Sequence, residues 1–298
     1  MTTLSALLKN ATFKAVAKVL TPAAALGTLG AAGTLLYAYR AADRLQVVPV
    51  DFLHPAVPRA FHGYTIAQFS DIHLDGSRRS LDLLERTVEL INAATPDLIV
   101  CTGDFVTARI RPLRGDLTGA LRRLRAPDGV LAILGNHDFG YNRVITQRAL
   151  AEAGIPELEN AVVTLQRGED RLHIAGVDSV VRQRARLDQV LEVLPRDGMA
   201  ILLAHEPDYA DIAAATGRFA LQLSGHTHGG QINLPLLTEI SLPAYGRRYK
   251  EGIHLVKGLW LYVNRGIGTG GVSLRLRARP EITIIKLGFM NLFQEYTS

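Results

Sequence analysis

The chain has 298 residues, 48% of them hydrophobic and 20% charged, with a formal net charge of +5. That composition excludes a disordered chain, leaves length for one large domain or two small ones, and favours anionic partners without requiring nucleic acid. A single cysteine, Cys101, in the apolar run from Leu98, excludes an intrachain disulfide and a thiolate-based zinc centre and reads as a buried, inert thiol.

The first element in chain order is the run Val19 to Tyr39, 21 residues without a charge, preceded by Lys9, Lys14 and Lys18 and followed by Arg40. Its length suffices to cross a bilayer as a helix. Thr21, Pro22, Gly27, Thr28, Gly30, Gly33 and Thr34 dilute its hydrophobicity, so a cleaved export signal competes with a retained anchor. The expectation adopted is a membrane-anchored protein: a single span within residues 1–45, in an inner or plasma membrane. Arg44 and Arg40 balance the lysines and leave the side undecided. Residues 46–61, with Pro49, Pro55 and Pro58, read as an extended linker to a catalytic domain over 62–298.

Strand and helix signals alternate beyond the linker. Apolar strands are predicted over 64–70, 97–102, 129–134, 172–176, 199–204, 220–224, 259–264 and 281–287. Helices are predicted where Leu81, Leu84, Val88 and Ile91 recur at helical spacing, over 142–153, and where Leu187, Val190, Leu191 and Leu194 share a face. The sum is a layered α/β domain from about residue 62 to about 288.

Five of these strands run into residues that bind metals. The first ends in Asp71-Ile72-His73, the second in Gly103-Asp104, the third in Gly135-Asn136-His137-Asp138. Two later ones end in His205 and in Gly225-His226-Thr227-His228. In open α/β sheets ligands bind outside the carboxyl ends of the strands, so these residues converge on one place. A one-residue gap in Asp71/His73 and His226/His228 puts both side chains of each pair on the same side of an extended segment. Each piece alone is ordinary turn chemistry; five together define a metal site.

The order Asp-x-His, Gly-Asp, Gly-Asn-His-Asp, His, Gly-His-x-His resembles the calcineurin-like metallophosphoesterase superfamily. The string Gly225 to Ile232, the later Tyr262 to Thr269 and Pro280-Glu281-Ile282-Thr283 resemble its bacterial YaeI/YkuE-type membrane-associated phosphodiesterases. The resemblance implies a β-sheet sandwich flanked by helices. It also implies two divalent ions: one held by Asp71, His73 and His228, the other by Asn136, His205 and His226, with Asp104 bridging. Two dications less two carboxylates leave a net charge of about +2, suited to a phosphate and to ionising a bridging water. His137 is expected as general acid, oriented by Asp138. Oxygen and imidazole ligands without thiolate fit manganese, iron or zinc, and the superfamily habit favours manganese.

No further cofactor is expected: the glycines 266, 268, 270 and 271 match a dinucleotide loop only superficially. The long connection from Leu234 to Gly258 carries Arg247 and Arg248, which with Arg265 are expected to grip substrate phosphate. Leu234, Leu236, Leu237, Ile240 and Leu242 there, and residues 288–293 near the C-terminus, are expected to pack on the body or meet a bilayer. The expected activity is hydrolysis of a phosphate ester or anhydride in a membrane-associated, lipid-linked substrate. A phosphoprotein or nucleotide phosphatase and a non-catalytic scaffold are the competing readings. No nucleic acid and no obligate protein partner are expected.

Overall fold

The computed structural model describes residues 30–107, 114–141, 143–234, 238 and 242–290. Two sheets face each other. The first has five strands in the order β1 (Gln46–His54), β11 (Glu281–Phe289), β2 (Thr65–Phe69), β3 (Leu98–Thr102) and β4 (Val130–Ile133). The second has six, in the order β5 (Ala161–Arg167), β6 (Asp170–Gly176), β7 (Met199–Leu203), β8 (Leu221–Ser224), β10 (Leu259–Val263) and β9 (Gly252–Val256).

Alternation along each buried strand fills two layers at once. In β3, Leu98 and Val100 point between the sheets, where they join Ile66, Ile174, Ile201 and Leu223. Ile99 and Cys101 point outward, onto Leu84, Val88 and Ile91 of the helix Arg78–Ala93. Burial raises the Cys101 thiol well above its ordinary pKa, in keeping with an inert role. Behind the second sheet, Leu187 and Val190 of the helix Leu187–Val193 cover Ala175, Leu202 and Leu261. The predicted strands and helices are present, within a residue or two at most of their ends.

Residues 46–61 are not simply a linker. Residues 46–54 form β1, which pairs in parallel with β11 from Gln46↔Glu281 to His54↔Phe289. Val48, Val50 and Phe52 are its more buried positions, at a period of two. Pro49 is tolerated because β1 lies at the edge of the sheet, where a missing N–H breaks no ladder. β5 and β9 also escape the sequence reading, and both are edges of the second sheet.

Among the described residues no helix is long and apolar enough to cross a membrane. Residues 19–29 of the expected span lie outside the described residues, as do Leu236, Leu237, Ile240 and residues 291–293; residues 30–41 are helical.

Candidate metal centre

β2, β3 and β4 run parallel, as do β6, β7, β8 and β10, so their carboxyl ends collect the predicted ligands. Asp71, His73 and His228 form one triad of ligand atoms, and Asp104, His205 and His226 a second. His228 Nε2 lies 3.4 Å from Asp71 Oδ1 and 3.0 Å from His73 Nε2. Asp104 Oδ2 lies 3.6 Å from His73 Nε2 and 3.1 Å from His205 Nε2, which places it between the triads as a bridge must be placed. All six side chains are buried, and Asn136 stands beside Asp104 and His226 in the wall of one cleft.

The donor chemistry fits cations. His205 Nδ1 lies 2.6 Å from the Thr102 carbonyl, which can only accept, so Nδ1 carries a proton and Nε2 faces the Asp104 carboxylate. That 3.1 Å contact needs a positive charge, either a second proton on the ring or a metal ion between the two atoms. His226 likewise gives its Nε2 proton to Ala244 O at 2.8 Å and keeps Nδ1 for a ligand. Asn136 Oδ1 is buried without a hydrogen bond, an orphan acceptor of the kind that metal binding explains. Burial pushes His73 down to about 4 and holds His228 well below the usual imidazole value, so both rings are neutral.

Local backbone conformation is as specific as the side chains. Asp71, His73, Asp104, His226 and His228 all have positive φ, between 47° and 75°. Such values are uncommon outside glycine and cost about 1–3 kcal/mol each. Hydrogen bonds hold them: Asp71 N donates to Gly103 O at 2.9 Å and His73 N to Asp104 O at 3.0 Å. Gly103 has φ +97°, and a Cβ there would sit 2.7 Å from both Gly135 N and His205 Nδ1, so only glycine lets the second and third motifs touch.

His137 is half-buried at the cleft. Its backbone N–H donates to Asp104 Oδ1 at 2.8 Å, and its ring meets His73 edge-on at 4.7 Å. It also forms a ligand-type cluster with His73 and Asp104. Asp138 is the correction here. Its carboxylate is fully buried and accepts the backbone N–H groups of Asp104 at 2.9 Å, Phe105 at 3.0 Å and Gly135 at 2.9 Å. It therefore clamps the Asp104 loop to the Asn136 loop. Burial, then the Asp104 charge, raises its pKa to about 7.

The expected phosphate grips fare unevenly. Arg265 spends its guanidinium on Glu251 and Glu281. Arg248 pairs with Asp211, and the backbone N–H groups of Arg247 and Arg248 donate to Asp208 at 3.1 Å. That loop does reach the site, through Ala244 O on His226.

One arginine was missed. Arg275 is fully buried and donates to the carbonyls of Arg265 (2.7 Å), Ala278 (3.1 Å), Gly266 (3.1 Å) and Gly268 (3.1 Å); Nη2 also reaches His228 Nδ1 at 3.2 Å. It folds the glycine-rich stretch into a strap whose Ile267 and Gly268 N–H groups bond Ser70 and Asp71 carbonyls at 2.9 and 2.8 Å. Burial lowers its pKa to about 10, still charged at neutral pH. Arg275→Met is expected to cost about 3–5 kcal/mol in urea unfolding, because it strands buried carbonyls, and Arg275→Lys to recover less than half, having lost the fork. A loss below 1 kcal/mol in both variants would refute the hub role (about 1 kcal/mol being a typical single hydrogen bond).

The motifs, the two sheets and the shared carboxylate together define a metallophosphoesterase site. The chain belongs to the family described as Calcineurin-like phosphoesterase, whose sequence profile matches residues 64–230. It is 36% identical over 280 residues to the uncharacterized metallophosphoesterase YkuE of Bacillus subtilis, covering 90% of this chain and 95% of that one. Phosphodiesterase YaeI of Escherichia coli is 30% identical over 70% of this chain and 76% of its own length. A Danio rerio protein named "Transmembrane protein with metallophosphoesterase domain" is 31% identical over 83% of this chain, which spans 58% of it.

Proposed function

We propose that the protein is a two-metal phosphodiesterase that hydrolyses a phosphate ester or anhydride in a membrane-associated, lipid-linked substrate, with manganese as the favoured ion. The observation that carries the metal chemistry is Asp104, which belongs to one buried triad and also lies 3.6 Å from His73 of the other. When bound, two cations supply positive charge to the phosphoryl oxygens and acidify the attacking water. Asp71 and Asp104 then neutralise only part of that charge, and the neutral Asn136 avoids quenching it further. His137, at the rim of the cleft, can hold the proton that the leaving oxygen needs.

The cleft over the centre has a volume of about 390 Å³. Asn136, His137, His226 and His228 form its polar wall, and Ile232, Pro243 and Val272 line it with apolar surface. That combination suits a phosphate carrying an apolar group. The uncharged run before Arg40 and the naming of the Danio rerio relative as a transmembrane protein support a substrate at a membrane.

The test uses the full chain in detergent. Hydrolysis of bis-para-nitrophenyl phosphate is expected with added manganese, to vanish with chelator and to return on re-addition. Lipid-bearing phosphodiesters or pyrophosphates in micelles are expected to be turned over with higher kcat/KM than nucleotides or phosphopeptides. Full activity in chelator without bound metal would refute the metal chemistry, and preference for a soluble substrate would refute the lipid reading alone.

A further inference from the structure

The helical residues 30–41 do not hang free of the catalytic body. Ala38, Ala41 and Ala42 are buried, and Ala38 O accepts the backbone N–H of Arg275 at 2.9 Å. Arg79 donates to Tyr39 O and to Asp43 Oδ1, both at 2.7 Å, and lies over the Tyr39 ring. Small side chains thus seat one face of the stretch on the Arg275 strap and on the helix that begins at Arg78.

The rest of the stretch is open, with Leu35, Leu36, Tyr37 and Tyr39 at 44–56% exposed. The strap beneath is a shared wall. Ser273 and Gly268 line a small cavity with Ala42, Asp43 and His73, while the neighbouring Val272, 54% exposed, lines the metal cleft. The helical stretch therefore sits against the same strap that borders the mouth of the cleft.

Basic charge frames it. Arg40 and Arg44 flank the end of the stretch; Arg277 and Arg279 follow Arg275. Gln46↔Glu281 pairing in parallel brings Arg44 and Arg279 to the same end of β1 and β11. All four are exposed and make no ion pair among the described residues.

We propose that this rim is a docking surface for a bilayer containing anionic phospholipid, and that it seats the mouth of the metal cleft on the headgroup plane. The occupant follows from continuity and charge. The exposed face ends an uncharged run long enough to cross a bilayer, and unpaired arginines beside an apolar patch match anionic headgroups above acyl chains. This rests on the membrane reading above and adds to it which face of the domain meets the lipid.

The test is lipid quenching at a site that anchoring alone would not bring to the bilayer. The chain has one tryptophan, so Trp260→Phe with Val272→Trp reports from the cleft rim. In vesicles of mixed phosphatidylcholine and phosphatidylglycerol, acyl-brominated lipid is expected to remove about half of that emission, as for a ring about 5–10 Å into the headgroup boundary. Arg277→Glu with Arg279→Glu is expected to restore most of it while leaving hydrolysis of a soluble ester unchanged. Ser273→Trp, exposed on the same strap, gives the same reading should Val272→Trp misfold, and Val193→Trp, on the outer helix, should not be quenched. Emission from Val272→Trp and Ser273→Trp indifferent to brominated lipid would overturn the proposal, as would equal quenching from Val193→Trp. Quenching without cleavage of lipid phosphodiesters would uphold docking and remove the substrate reading; cleavage without quenching would do the reverse.

Discussion

On the proposed two-metal reading, Asp104→Asn is expected to leave at most one bound manganese ion and to abolish measurable phosphodiester hydrolysis. Asparagine keeps the shape, can still accept the His137 N–H through Oδ1 and tolerates positive φ, so the fold survives the change. What disappears is the negative charge that faces His205 in one triad and His73 of the other. Partners behind metal ligands are already worth about 10–100-fold in affinity, so a shared ligand should cost on the order of 10²-fold or more. Elemental analysis with calorimetric manganese titration decides it, and two ions bound with unchanged affinity would remove Asp104 from the bridge.

His137→Ala is expected to behave in the opposite way, retaining both ions while kcat falls by about 10²–10⁴-fold, the usual worth of a positioned proton donor. The leaving group sharpens the test. Para-nitrophenolate departs without a proton, whereas an alkoxide does not, so the loss should be much larger on an alkyl phosphodiester than on the chromogenic ester. Equal losses on both would deny His137 the role of acid. Loss of an ion would instead make it a ligand, a role its cluster with His73 and Asp104 also permits.

The candidate metal centre was legible because the strands that carry it are central. Leu98 to Thr102 and Met199 to Leu203 are buried on both faces, so they read as apolar runs, and the polar residue that follows each stands out. Edges give no such contrast. β1 and β9 expose every second residue, β5 has no buried residue, and Pro49 within β1 argued against a strand at all. Side-chain pairing was less legible still. Arg275 sits in Leu274-Arg275-Leu276-Arg277, an alternation that reads as a strand with a wet face, yet its guanidinium is buried among carbonyls that only tertiary folding brings together. Asp138 looked like a partner for its neighbour His137, but its acceptors face N–H groups more than thirty positions upstream in the chain as well as Gly135.

The five left-handed candidate ligands have a consequence for descent. A lineage that no longer needs the reaction would gain stability by mutating the residues the reaction depends on, since glycine at His73 or His226 relieves the backbone while discarding a ligand. Drift away from catalysis is therefore downhill, and only continued selection holds all seven positions filled. Metal-free His226→Gly melting above the metal-free parent would show that slope directly; melting below it would mean that the surrounding hydrogen bonds had already made the conformation free of cost.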